Sequence, residues 1–357
     1  MNNHQYFKVL DGWRGLSIFL VLFAHIVPLP FGPKTMELLF QKVNSWSPGF
    51  LSQVPQAWAV NDSFGILGML LFFNLSGFLI TSFLLRPNAM VSDFLIRRFF
   101  RIVPLVWLFL ALVLPFSERA NLEIWASHYF FYANLPPSHL VQLTDHLWSL
   151  CVEMQFYIGV AILFFLFGVK GVLALPLLSL FFTLLRIYHH VYASSVSYFR
   201  MDEILAGSAL ALVYQGRLGH VGEWLMHSMK TVPRWPLALL LTTSCFHQAG
   251  WLNFARPYLA SMLIGATLLN PDATMVKWLQ VRTLIYLASI SYALYVWHVG
   301  LTGTWLWTGD TAMVRMAKRP LFLAVLFTLA HGSTYFYEQR WIALGKAISA
   351  KLRSASV

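Results

Sequence analysis

Arg14 and His25 stand eleven residues apart in the apolar stretch LDGWRGLSIFLVLFAH, residues 10–25. At about 100° per residue, eleven positions make about three helical turns, so both side chains project from one face, about 16 Å apart along the axis. Ionisable groups in an apolar helix of membrane length are costly unless they face a protein interior or a wet cavity, which makes both candidate functional groups. An imidazole can take the proton of a hydroxyl whose oxygen attacks an acyl carbonyl, with a carboxylate fixing its tautomer. Asp11 and Glu153 are the candidates for that carboxylate. A guanidinium presents a planar fork to phosphate or carbonyl oxygens. One path touching both groups would suit a coenzyme A thioester, whose phosphates and acyl group lie at opposite ends of a thin arm.

Further stretches group polar residues at helical spacing. In HLWSLCVEMQFY, His146, Ser149, Glu153 and Tyr157 follow one another at steps of three and four and share a face, with Trp148 beside them. FFNLSGFLIT carries Asn74, Ser76 and Gly77, the last small enough for close backbone approach between membrane helices. SYALYVWH ends at His298, and YFYEQRW holds Glu338 and Arg340. His146, Trp148, Ser149, Ser76 and His298 form the candidate substrate-binding set. RPNAMVSDFLIRRFFRIVP places Arg97 and Arg101 at i and i+4, a spacing suited to gripping phosphates, with Arg98 between them.

Each group also has a plainer reading. Asp11 and Arg14 can cap a helix and snorkel, and Glu153 can neutralise a buried arginine. His146 and His298 can hydrogen-bond at the interface, and the arginines can fix topology. Metal ligation fits poorly, because no HExxH occurs and the adjacent His189 and His190 diverge on a helix. A GxSxG elbow is absent. A His/Glu proton relay in a transporter, moving a carbohydrate or a proton-coupled solute, stays open.

The elements that must position these groups are membrane helices. With 58% hydrophobic and 11% charged residues in 357, and a mean hydropathy of +0.63, the chain cannot keep a water-soluble surface. Apolar runs recur at 12–30, 63–85, 102–116, 146–168, 171–190, 202–215, 235–250, 256–270, 283–305 and 320–342. They predict an all-α polytopic protein with about ten transmembrane helices around a central channel. The first run is too long for a signal peptide, contains Arg14 and lacks a small-residue cleavage pattern, so it is expected to be retained. The bias of Lys and Arg puts the N-terminus, Arg97, Arg98 and Arg101 on the cytoplasmic side. Arg315, Lys318 and Arg319 run against that bias, in a segment that can also form a basic rim facing an anionic polymer.

The net charge of +11 fits this inside bias and attraction to anionic membrane lipid. No soluble segment is long enough to bind nucleic acid. Cys151 and Cys245 lie in apolar runs and read as free thiols. The aromatic, Pro-containing loops 31–62 and 117–145 fall on the outer face, where they can anchor at the interface or form a ledge for carbohydrate. Neither repeat nor low-complexity tract occurs, so the chain is expected to be one membrane domain, 1–357, with no appended soluble domain.

LDGWRG with His25 completing Arg-x10-His, then FFNLSGFLIT, FLIRRFFRIVP, HLWSLCVEMQFY and SYALYVWH, occur in an order and spacing that resembles the acyltransferase family 3 membrane proteins, over nearly the whole chain. The resemblance implies a ten-helix enzyme of the bacterial cytoplasmic membrane that uses cytosolic acetyl-CoA or another acyl-CoA and no metal. Its implied acceptor is an extracytoplasmic carbohydrate, such as an exopolysaccharide or lipopolysaccharide unit or a lipid-linked glycan. It further implies that Arg14 and His25 match the family's essential pair, and that Arg97, Arg98, Arg101, Trp148, Ser149 and Glu153 stand at its other signature positions. The family's usual WSLSVEEQFY reads here with Cys151 and Met154, so neither position is assigned a polar role. Many relatives carry a C-terminal esterase-like domain, and a relay through one is expected to need a separate protein here.

Overall fold

The computed structural model describes residues 3–26, 57–117, 119 and 121–355. Most of the loop 31–62 lies outside the described residues, and the regular structure among those described is helical throughout. In chain order the helices are α1 (Asn3–Ile26), α2 (Ala57–Leu84), α3 (Val91–Val113), α4 (Leu122–Tyr129), α5 (Trp148–Phe167), α6 (Val169–Val172), α7 (Leu175–Tyr188) and α8 (Met201–Tyr214). They continue with α9 (Gly219–Thr231), α10 (Arg234–Ser244), α11 (Leu252–Leu268), α12 (Thr274–Leu279), α13 (Arg282–Gly300), α14 (Ala312–Gly332) and α15 (Gln339–Ala355). A π-helical turn, Ser333–Glu338, joins the last two.

Among the described residues six spans are long and apolar enough to cross a membrane: Lys8–Ile26, Asp62–Leu84, Val91–Phe116, Asp145–Phe167, Val169–Tyr188 and Arg282–Gly303. The protein is therefore a multi-pass membrane protein. The four other apolar runs are helical too, but they depart from the expected ten spans for physical reasons. α8 and α10 have 14 and 11 residues, or about 21 and 17 Å of helix against a hydrocarbon core of about 30 Å. α11, with 17 residues, is also short. α14 carries Arg315, Lys318 and Arg319 in its first half.

The helix that bears Arg14 and His25 is clamped on two sides. α1 lies between α2 and α13, its principal neighbours. Ser17 Oγ donates to the Gly68 carbonyl at 2.6 Å, tying α1 to α2. Gly15 faces the Leu284 backbone so closely that any side chain there would push α1 off α13. α2 in turn packs on α8, where Gly77 meets the Ile204 carbonyl and Gly207 meets the Asn74 carbonyl. Asn74 of FFNLSGFLIT thus joins helices: its Nδ2 donates to Glu203 O at 2.9 Å, and Ser261 Oγ of α11 donates to its Oδ1 at 2.5 Å.

A buried ion cluster ties α7, α8 and α11 together. Arg186 meets Asp202 at 2.5 Å, and Glu203 is shared by Arg200 at 2.6 Å and Arg256 at 2.8 Å. Arg200 precedes the apolar run 202–215 and Arg256 opens the run 256–270, and both are buried. Each of these charges lies beside an opposite one, which is the condition under which apolar surroundings admit charge.

Candidate active site

His25, exposed in the last turn of α1, opens into a cavity of about 620 Å³, which Asp62, Asp145, His146, Trp148 and Tyr295 also line. Its Nδ1 lies 2.9 Å from Nε2 of His298, and the two rings meet edge to edge with planes 13° apart. His298 is fully buried on α13, with Nδ1 2.7 Å from the Tyr295 carbonyl. His146 stands edge-on to His298, ring centroids 5.1 Å apart, and its Nε2 lies 3.2 Å from Val296 O. The start of α5 is bolted to α13 by Tyr295, whose hydroxyl donates to the His146 carbonyl and lies 2.5 Å from Ser149 Oγ. Two tryptophans line the same cavity, each with a cation over its ring: Arg200, itself a lining residue, over Trp148 at 5.0 Å, and Arg319 over Trp307 at 3.2 Å.

Arg14 lines a second, smaller cavity of about 40 Å³ with Ser76, Arg98, Arg101, Glu153 and Tyr157. Glu153 is buried there and accepts hydrogen bonds from the hydroxyls of Ser76 and Tyr157. A third cavity, of about 180 Å³, opens beyond it between α3 and α15, lined by Arg97, Arg98, Arg101 and Lys346. Arg98 and Arg101 border both, so the two are contiguous in lining.

The predicted residues thus divide among three places. His25, His146 and Trp148 meet in the large cavity, while His298 and Ser149 stand behind its wall. Arg14, Ser76 and Glu153 meet in the middle one, so Ser76 is not beside the histidines. The carboxylates expected to orient His25 do not reach it. Glu153 is engaged by Ser76 and Tyr157, and Asp11 pairs with Arg14 at 3.7 Å, about 21 Å along α1 from His25. The group within hydrogen-bond distance of His25 Nδ1 is Nε2 of His298. Arg97 is also taken: its Nε lies 2.5 Å from Asp93, which Ser349 and Arg353 of α15 approach as well. Arg98, Arg101 and Lys346 carry no ion pair with a carboxylate among the described residues.

The single path expected through Arg14 and His25 is interrupted. On the α1 face between them Ile18, Val21 and Leu22 are buried, and among the described residues none lines both the Arg14 and the His25 cavity. The two are nevertheless stacked along one stripe of α2. Gly65, Ile66 and Met69 line the large cavity and Phe72, Leu75, Ser76 and Leu79 the middle one, a spacing of three and four throughout. Phe72 stands at the step, and its neighbour Phe73 is fully buried against Trp148.

Sequence reasoning missed Asp62, Asp145, Arg200 and Tyr295 around the large cavity and Lys346 at the basic one. Of these only Lys346 left a signal: with Ser349 and Arg353 it marks the polar stripe of α15 that faces α3.

A family model described as "Acyltransferase domain" matches residues 7–337. The chain is similar to peptidoglycan O-acetyltransferase OatA of Listeria monocytogenes serovar 1/2a, with 26% identity over 94% of this chain and 56% of that protein. It is also similar to O-acetyltransferase OatA of Staphylococcus aureus strain NCTC 8325, with 26% identity over 66% of this chain and 45% of that protein. The chain spans about half the length of the curated relatives it matches. No solved structure matches. Because the family match runs from the first turns of α1 to the turn before α15, enclosing both the His25 and the Arg14 cavity, this chain belongs to the acyltransferase family 3.

Proposed function

We propose that the protein transfers an acyl group, most simply acetyl, from cytosolic acyl-CoA to a hydroxyl of a carbohydrate on the far side of the bacterial cytoplasmic membrane, with the N-terminus cytoplasmic. The observation that carries this reading is the sequence of three cavities, from cations that make no ion pair among the described residues at one end to an open imidazole at the other. Arg98, Arg101 and Lys346 suit the phosphates of the donor, and Arg14 suits its pantetheine arm. Arg97 is already paired with Asp93 on its own helix, and it is Asp93 that ties α15 to α3 through Ser349 and Arg353. The arm reaches His25 by displacing the closure at Phe72. His25 takes the proton of the acceptor hydroxyl, the new O–C bond forms, the thioester C–S bond breaks, and the proton passes to the departing thiolate. Asp62 and Asp145 can accept hydrogen bonds from neighbouring hydroxyls of a sugar. The relatives' printed names, both O-acetyltransferases, support the acetyl group and the oxygen acceptor.

The test is reconstitution in vesicles with labelled acetyl-CoA on the side of Arg98 and a panel of saccharides on the other. Ester-linked label on a saccharide is the expected result. Saccharide flux without any donor, and no ester, would replace this reading with that of a transporter.

A further inference from the structure

We infer that His298 is the positioning residue that sets the tautomer of His25, so that the two imidazoles form a dyad in which a histidine takes the place of a carboxylate. Only the kinetic consequence rests on the acyl-transfer reading above. The hydrogen-bond geometry does not.

A backbone carbonyl accepts and never donates, so the 2.7 Å contact of His298 Nδ1 with Tyr295 O puts a proton on that nitrogen. Neutral His298 then carries its lone pair on Nε2, which lies 2.9 Å from His25 Nδ1. That nitrogen of His25 must therefore be the donor. Neutral His25 is left with a bare Nε2. The sequence of donors runs one way, from the open cavity that His25 lines to the carbonyl behind fully buried His298. No carboxylate pairs with either ring among the described residues; Asp62 and Asp145 line the same cavity without bonding to the dyad.

This arrangement has a chemical consequence. When His25 Nε2 accepts the proton of a hydroxyl, its Nδ1 proton can move to His298 Nε2, and the two rings share one added proton against the Tyr295 carbonyl. On collapse of the tetrahedral species the same proton returns through Nε2 of His25 to the thiolate. The opposite tautomer of His25 would point a proton, not a lone pair, at the acceptor, and a base so misassigned loses most of its value.

The experiment uses the full chain in nanodiscs with ¹⁵N-labelled histidine, in which ring-nitrogen shifts separate protonated from bare nitrogens and His25→Asn assigns the signal. The wild type is expected to show His25 protonated at Nδ1 and bare at Nε2. In kinetics, His298→Gln keeps an acceptor near the place of Nε2, whereas His298→Leu removes it. The Gln variant is expected to stay within about tenfold of the wild-type kcat, and the Leu variant to fall by about 100-fold or more, with KM for the acyl donor unchanged in both. A Leu variant as active as the Gln variant, or His25 protonated at Nε2 in the wild type, overturns the inference. Should the Leu variant fail to accumulate in the membrane, the wild-type spectrum decides. Because that spectrum needs no turnover, a wild type lacking acyl transfer but showing the Nδ1 proton would remove the proposed reaction and leave the tautomer assignment standing.

Discussion

Two buried polar clusters of this protein share a border and differ in where their valences end. Among α7, α8 and α11, Arg186, Arg200 and Arg256 meet Asp202 and Glu203, each charge beside an opposite one. Among α1, α5 and α13, the rings of His25, His298 and His146 meet one another and backbone carbonyls, and His25 opens into a cavity. Arg200 belongs to both regions, pairing with Glu203 while lying over Trp148 of the cavity. Compensated charge holds helices together. An imidazole that lines a cavity and, among the described residues, bonds only through Nδ1 is available for chemistry.

The largest effect should come from His25→Ala. A general base contributes about 10²–10⁴-fold, so transfer should fall to the level of a protein without the dyad. Stability should change little, because the lost ring faces a cavity and frees only one acceptor, His298 Nε2. Acyl transfer and thermal unfolding measured on one preparation test both halves. If the variant unfolds instead, the histidine cluster is as structural as the ionic one and the contrast fails.

Next in size is Glu203→Gln, which leaves Arg200 and Arg256 buried against a neutral amide. Breaking a buried pair by removing one partner costs about 3–5 kcal/mol. Unfolding of the purified variant should begin well below that of the wild type, while activity per folded molecule is retained. A variant that keeps its stability but loses turnover would move the ion cluster into the active site, by way of Arg200 and Trp148.

How far this division could be read beforehand follows from the range over which each contact acts. Arg14 and His25 sit on one helix, so their common face followed from periodicity alone. Gly77 announced a close helix contact by its size, and the contact with α8 is there. The pairing of His25 with His298 joins positions 273 apart, and helical periodicity says nothing of which face meets which across such a distance. A carboxylate was the expected partner because it is the usual one for a catalytic imidazole, and only the packing of α13 against α1 puts a histidine there. Asp93, by contrast, stood in plain view four residues before Arg97, at the helical spacing that gives their 2.5 Å ion pair. Of the ten apolar runs, six are long and apolar enough to cross a membrane among the described residues, while α8 and α10 are shorter because turns end them early.

Asp11→Asn should have the smallest effect and gives the comparison its sharpest edge. The Asp11 side chain is 41% exposed and 3.7 Å from Arg14, a loose pair at the helix surface. Exposed pairs of this kind contribute about 0.2–1 kcal/mol, so KM for the acyl donor should shift by about twofold and kcat should hold. Measuring the donor dependence of Asp11→Asn beside that of Arg14→Lys separates the guanidinium from the carboxylate next to it. Lysine keeps the charge but loses the planar fork, so its KM should rise further than that of the asparagine variant. A fall in kcat for Asp11→Asn as deep as that for His25→Ala would mean that a carboxylate about 21 Å along the same helix acts on the base, which a rigid α1 forbids. The division between a neutral histidine dyad and compensated charges would then have to give way to a molecule that rearranges between states.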